Sequence, residues 1–295
     1  MSLIYNATFD KNTRKLSFED KAGNEIYSFT VPERVPVDDI TKPLTFRATQ
    51  DGSTVTLTKS FLPTGGSFQT SNDGGNTWSD YTLDTAITLN TGDEVSFRAK
   101  ADRTSAQGTK SYFYFQMTGK IEAWHNVMSM IRTNDFSTYE SVVDYAFYRL
   151  FSDCISLTRA PALPATTLAQ SCYDGMFSGC QSLTKAPALP ATTLAISCYE
   201  AMFSRCQSLT EAPALPATTL AETCYWGMFS RCQSLKEVRI SATFTIATNA
   251  LDNWLEGVSA TGDFYCDPDA TIFPTDSVSG IPANWKRHNI ADYPN

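Results

Sequence analysis

Eight cysteines carry most of the chemistry this chain could offer, and seven of them recur at a fixed interval. Cys154, Cys180, Cys206 and Cys232 stand 26 residues apart, and Cys172, Cys198 and Cys224 repeat at the same interval. If each pair lies within one helical segment, Cys172 and Cys180 are ~12 Å apart at the helical rise. That exceeds the ~7 Å Cα limit for a disulfide, so only pairing between repeats stays open. Zinc favours close cysteine or histidine pairs, and there is no Cys-x-x-Cys. The expected role is therefore a small buried apolar residue that recurs because its unit recurs. His125 and His288 are too far apart in sequence to suggest a triad or a metal pair. Asp263, Asp267 and Asp269 flank Cys266, but Pro268 interrupts them and their spacing matches no calcium loop. Neither a glycine-rich phosphate loop nor a Gly-x-Ser-x-Gly elbow occurs. The expectation is no catalytic residue, no metal and no cofactor.

The elements that position these cysteines are the repeats themselves. Met176-Phe177-Ser178-Gly179-Cys180-Gln181-Ser182-Leu183-Thr184 returns at Met202 and Met228, and Ala160-Pro161-Ala162-Leu163-Pro164-Ala165-Thr166-Thr167-Leu168 returns at Ala186 and Ala212. A fixed period of this length predicts a solenoid. In Ser171 to Cys180 the apolar residues fall at steps of three and four, which predicts a short helix. Leu183 to Ala186 reads as a short strand, stopped by Pro187 and Pro190, which lack amide donors. Stacking would align Leu157, Leu183, Leu209 and Leu235 in one buried column and Leu163, Leu189 and Leu215 in another.

Met-Phe-x-x-Cys-x-Ser-Leu-Thr followed by a proline-bounded strand resembles the leucine-rich repeats of BspA-like bacterial surface proteins, with Tyr145-Ala146-Phe147-Tyr148 similar to their helical words. The resemblance covers a third to a half of the chain, with a unit a few residues longer than the family's. It implies a surface-exposed binding or adhesion role and nothing catalytic. A second likeness lies upstream, where Ser71-Asn72-Asp73-Gly74-Gly75-Asn76-Thr77-Trp78 resembles the Asp-box hairpin of sialidases and other β-propellers. A single copy, with no arginine cluster, reads as a stable turn: Asp73 and Ser71 bond nearby amides, Gly75 turns left-handed and Trp78 packs beneath.

The flanks complete the expected organisation. Short alternating segments at 3–9, 14–18 and 25–31 read as a β-meander, and the prolines of 32–39 as a linker, giving a first domain over 1–39. Strands expected at 44–49, 55–57, 68–70, 86–89, 94–99, 112–116 and 119–124 suggest a β-sandwich over 40–131. A connector and the leucine-rich-repeat-like solenoid fill 132–262, with Ala250, Trp254 and Val258 replacing repeat cysteines and Met-Phe. An irregular capping tail takes 263–295. The fold class is thus mixed: an all-β meander and β-sandwich, then a short-strand, short-helix solenoid. Net charge is −8 overall, yet residues 145–240 hold seven basic and six acidic side chains, so the acid lies in the flanks. Neither part has the basic face a nucleic-acid partner requires. No stretch is apolar enough to span a membrane, and the first residues lack the pattern of a secretory leader.

Candidate contacts come from comparing the repeats with one another. The framework hardly changes, but three columns do: Tyr148, Asp174, Glu200, Trp226; then Arg159, Lys185, Glu211, Glu237; then Asp153, Gly179, Arg205, Arg231. Such positions are expected to be exposed, and Trp226 is the foremost contact candidate. The expected function is a non-enzymatic adhesion protein at the cell surface or outside the cell, whose solenoid binds a protein or glycan. The alternative is a virion component such as a phage fibre, decoration or receptor-binding protein. A glycan-active enzyme is the third and weakest reading, resting on the single Asp-box. The N-terminal β region is also a surface through which copies of the chain could associate.

Overall fold

A computed structural model describes residues 6–10, 15–19, 21–30, 38–60, 66–103, 112–243, 247–275 and 278–293. Two compact units divide the chain, Met1–Val37 and Asp38–Asn295. In the first, β1 (Asn6–Asp10), β2 (Lys15–Glu19) and β3 (Glu25–Thr30) form an antiparallel sheet in sequence order. Its register sets Phe9 opposite Leu16 and Leu16 opposite Phe29. The strand starts expected at Leu3 and Arg14, the end expected at Val31, and 32–37 of the linker lie outside the described residues.

Among its described residues, the second unit begins with eight strands. These are β4 (Thr45–Ala48), β5 (Ser53–Lys59), β6 (Phe68–Ser71), β7 (Ser79–Tyr81), β8 (Ile87–Leu89), β9 (Glu94–Ala99), β10 (Phe113–Thr118) and β11 (Ile121–Trp124). Alternation of buried and less buried residues, such as Val55 and Leu57 against the half-buried Thr54 and Thr56, turns one face of the strand inward. One sheet runs β10-β5-β8, and the other runs β11-β4-β9-β6-β7 with β12 (Leu157–Arg159) joined to β11 in parallel. Their inner faces meet through aromatic contacts: Phe46 to Phe115 at 4.6 Å, Phe97 to Phe115 at 5.2 Å and Phe68 to Phe113 at 4.8 Å. Because β12 belongs to the first repeat, one hydrophobic core continues from Leu44 to Trp285. Asn126 fastens the junction. Fully buried, it donates to Ile40 O and Phe136 O at 3.0 Å each and accepts from Met128 N at 2.9 Å.

The repeats correct the expected fold class. No α-helix occurs among the described residues, whose secondary structure is almost entirely β, so a helix-bearing leucine-rich-repeat solenoid is not what forms. The reason lies in where the amides go. Cys172, Asp174, Met176, Ser178 and Cys180 donate three residues back along the chain, to Ala169, Ser171, Tyr173, Gly175 and Phe177. The residues between them, Ser171, Tyr173, Gly175, Phe177 and Gly179, donate to carbonyls of the following repeat. A helix would send every amide four residues back. Here half the donors link turns and half link repeats, so the segment is a string of turns with a left-handed residue at every fourth position, Ser171, Gly175 and Gly179. Burial has the same period of four: Cys172 and Tyr173, Met176 and Phe177, then Cys180. A four-residue period in the sequence resembles the 3.6-residue helical one over so short a span.

Regular strand is also scarcer than expected. Between β12 and β13 (Glu237–Arg239) the expected strand positions make only isolated bridges, such as Glu211 with Glu237. Proline at 187, 190, 213 and 216 removes the donors a longer ladder needs. The leucines nevertheless align, with Leu157, Leu183, Leu209 and Leu235 fully buried and Leu163, Leu189 and Leu215 nearly so. Aromatic rings stack beside them, Phe151, Phe177, Phe203 and Phe229 at successive spacings of 5.4, 5.6 and 5.8 Å. The tail read as irregular instead supplies β14 (Gly262–Cys266) and β15 (Trp285–Asn289), which extend β13 as a parallel sheet. Trp254 closes that end, donating its indole N–H to Gly280 O at 3.0 Å.

A tyrosine-lined groove as candidate binding site

Strand β10 presents two different faces. Phe113, Phe115 and Met117 point into the core, so Tyr114, Gln116 and Thr118 must face outward, with Tyr112 continuing the row just before the strand. Pairing with β5 sets Gln116 opposite Thr56 and Thr118 opposite Thr54, whose hydroxyl lies 2.7 Å from that of Thr118. The other edge of β10 is covered by the first repeat. Phe115 N donates to Leu150 O at 2.8 Å, and the Cys154 thiol donates to Phe115 O at 3.1 Å. Between the outer face of β10 and β5 and this turn of the first repeat lies an open groove of about 560 Å³, to which the repeat contributes Arg149, Ser152 and Asp153.

Aromatic contacts extend the groove sideways. Tyr114 touches Tyr112 at 5.7 Å, Tyr112 meets Tyr148 edge-on at 5.1 Å, and Tyr148 meets Tyr145 at 6.0 Å. The Arg149 guanidinium lies 5.4 Å from the Tyr148 ring centre, a cation–π contact. Two glycines of the next repeat make room for the charged wall. A side chain at Gly175 would meet Arg149 Cγ at 3.1 Å, and one at Gly179 would collide with the Asp153 carboxylate. The corresponding residues in the third repeat are Ala201 and Arg205, so this seat belongs to the first two repeats.

The sequence-derived candidates divide between this groove and other surfaces. Tyr148 and Asp153 stand at the groove, Tyr148 half-buried and Asp153 exposed. Asp174, Glu200 and Trp226 follow Tyr148 on successive repeats, tied by bonds from Arg149, Gly175 and Ala201 amides to their carbonyls. Asp174 is less exposed than expected, and burial, reinforced by the Glu200 carboxylate against the pull of Arg149, pushes its carboxyl up to about 7. Trp226 keeps 38 % of its surface exposed. In the second column, Arg159 is held internally, 2.7 Å from Asp38 and 3.7 Å above the Trp124 ring. Lys185 and Glu211 share a shallow depression of about 340 Å³. Glu211 and Glu237 both accept from the Tyr293 hydroxyl, at 3.1 and 2.5 Å. Arg205 and Arg231 are exposed with left-handed backbones, whereas Gly179 is buried and offers only space. Tyr112, Tyr114 and Gln116 were absent from the expected contacts because they lie outside the repeats, on β10 or just before it. Their signal was the alternation Tyr-Phe-Tyr-Phe-Gln-Met-Thr, which presents one polar-aromatic face.

Other groups with chemical potential are occupied structurally. Asp73 accepts from Ser71 Oγ at 2.6 Å, Thr77 Oγ1 at 2.6 Å and the amides of Thr77 and Asn76, bonds that hold its carboxyl well below the usual carboxylate range. Gly75 has φ +95° and Trp78 donates to its carbonyl at 2.9 Å, closing the turn. All eight cysteines are buried and free, and burial pushes the thiols of Cys172, Cys224 and Cys232 up to about 12. The thiols of Cys180, Cys206 and Cys232 donate to the carbonyls of Phe151, Phe177 and Phe203 at 3.0 to 3.2 Å. Cysteine there is thus a hydrogen-bond donor as well as a small apolar filler. His125 Nδ1 accepts from Asp39 N at 3.1 Å, and His288 lies 2.7 Å from Asp263. Among the described residues no group of three or more acidic, histidine or cysteine side chains is arranged to hold a metal, and no helix is long and apolar enough to cross a membrane. No protein-family model matches the chain, and neither a curated protein nor a solved structure does. The likeness of the repeats to BspA-like proteins therefore rests on their motif words.

Proposed function

We propose that this chain is a non-enzymatic binding protein that works outside the cell producing it, as an adhesin does, and holds a protein or glycan partner. The observation that carries the reading is the separation of framework from surface. Repeat backbones satisfy one another through a fixed pattern of amide bonds, while Tyr148, Asp174, Glu200 and Trp226 change freely along one column above it. A rigid scaffold bearing variable side chains suits recognition, because little ordering entropy is lost when a partner binds. The engagement of Asp73 within its own turn supports a binding role over glycan hydrolysis, which requires a pair of acidic groups facing one substrate bond.

The test is quantitative mass spectrometry of the chain across washed envelopes, medium, cytosol and density-purified phage particles from its natural source, followed by binding of purified protein to host cells. Enrichment in envelopes or medium with saturable cell binding is expected. Confinement to the cytosol would refute the reading, and enrichment in particles would transfer the binding role to a virion structural protein.

A further inference from the structure

The binding role proposed above leaves the partner's chemistry open, and this inference rests on that role. From the groove on β10 we infer that the ligand is a neutral oligosaccharide, with Tyr112 and Tyr114 as stacking platforms for its rings. The two tyrosines stand on one face, Tyr114 on β10 and Tyr112 just before it, with centroids 5.7 Å apart, over a core formed by Phe113 and Phe115. Tyrosine has few torsions to order, so rings supported from below bind at low entropic cost. The apolar C–H face of a pyranose matches such a ring, while its rim of hydroxyls needs polar partners. Thr54, Thr56, Thr118 and Gln116 supply them from the sheet, each able to donate and accept.

The charge and size of the groove exclude the competing ligands. Arg149 and Asp153 bring one charge of each sign, so neither a polyanion nor a polycation gains a net attraction. An apolar ligand would strip water from the Thr56 hydroxyl and the Gln116 amide without replacing its hydrogen bonds, which disfavours it. A volume of about 560 Å³ lies within the range of small-ligand sites, whereas a stable protein interface needs about 800 Å² on each partner. A glycan of a few sugar units meets all three conditions. Gly175 and Gly179 act as positioning residues, since they give Arg149 and Asp153 their seats at the wall.

The experiment is an array of immobilised oligosaccharides containing glucose, galactose, mannose and N-acetylhexosamines, with sialylated and uronate-bearing glycans and matrix proteins alongside. Affinities for the glycans retained are then measured by calorimetry. The full chain is compared with Tyr112→Ala/Tyr114→Ala and with Tyr114→Phe, and protection of the eight thiols from alkylation reports that each variant is folded. Retention of neutral glycans is expected, about 10–100-fold weaker in the double alanine variant and nearly unchanged in Tyr114→Phe. Three results would overturn the inference: no glycan retained, only acidic glycans retained, or equal affinity in the folded double variant. Saturable binding to matrix proteins or cells without any glycan would overturn it while leaving the proposed binding role standing.

Discussion

Replacing Tyr199 by phenylalanine should make the protein more stable, although it removes a polar group from a well-packed site. The Tyr199 ring is buried between Tyr173 at 5.7 Å and Tyr225 at 6.0 Å, nearly parallel to both. Neither the Tyr199 hydroxyl nor that of Tyr173 has a hydrogen-bond partner among the described residues. A buried polar group left unpaired costs ~1–3 kcal/mol. Removing one oxygen leaves less space than a lost methylene, so the packing penalty is at most ~1 kcal/mol. The column already accepts phenylalanine, since Phe147 stacks on Tyr173 at 5.4 Å and 11°. The expected gain is about 1 kcal/mol for Tyr199→Phe and about 2 kcal/mol for the double Tyr173→Phe/Tyr199→Phe variant, with some coupling because the rings touch. Equilibrium urea unfolding followed by near-ultraviolet circular dichroism measures this as a shifted midpoint at unchanged slope. A loss above ~0.5 kcal/mol would refute the reasoning, because it would mean the hydroxyl bonds a buried water and belongs to the framework.

Asp174 predicts a pH dependence of defined sign. Its carboxyl is raised to about 7 in the folded chain, so the folded state binds its proton more tightly than the unfolded chain does. The stability it contributes is full below about pH 4 and is lost as pH rises through 7. Asp174→Asn should therefore stabilise by ~1–2 kcal/mol above pH 7, reduced from the full linkage value by partial solvent exposure, and change nothing below pH 4. Parallel urea titrations at pH 4 and 8 decide this, and an equal effect at both would sink it. Asn126→Ala leaves two part-buried carbonyls and one buried amide without their partner and should cost ~2–3 kcal/mol in the same assay. Gly179→Ala puts a side chain into the Asp153 carboxylate at a left-handed backbone and should cost ~1–2 kcal/mol while weakening ligand capture. Iodoacetamide should label no cysteine in the native protein and all eight after denaturation, since every thiol is free and buried. Mass spectrometry counts the adducts, and fast native labelling would contradict that burial.

The parts of the fold legible in the sequence are those where a single local rule suffices. Glu94–Ala99 was readable as a strand because the turn at 90–93 precedes an alternation of Val95, Phe97 and Ala99 with polar residues, and the aligned leucines were readable because a fixed period must bring them together. Ser171 to Cys180 was misread because apolar spacing reports which side chains turn inward but not where their amides donate. Alternating donation within and between repeats leaves the same inward pattern as a helix over ten residues. The groove was illegible for a different reason. Tyr112 and Arg149 are far apart in sequence, and only the covering of the β10 edge by Leu150 and Cys154 brings them together. Nothing local in either segment announces that contact.

That edge contact also explains why the groove lies at the first repeat. Repeats inside the stack are bounded on both sides by copies of themselves, so the shapes between them recur, as in the shallow depression beside Lys185 and Glu211. The first repeat is bounded on one side by β10, whose outward residues follow a two-residue period while the repeat turns follow a period of four. Two surfaces of different period cannot mesh along their length, and the mismatch leaves a recess where they diverge. Tyr112 and Tyr114 come from the first period and Arg149 and Asp153, four residues apart and both left-handed, from the second. Adding or deleting an internal repeat would therefore leave the recess intact, whereas shifting β10 by one residue would turn Phe113 and Phe115 outward and abolish both the core beneath it and the platforms above.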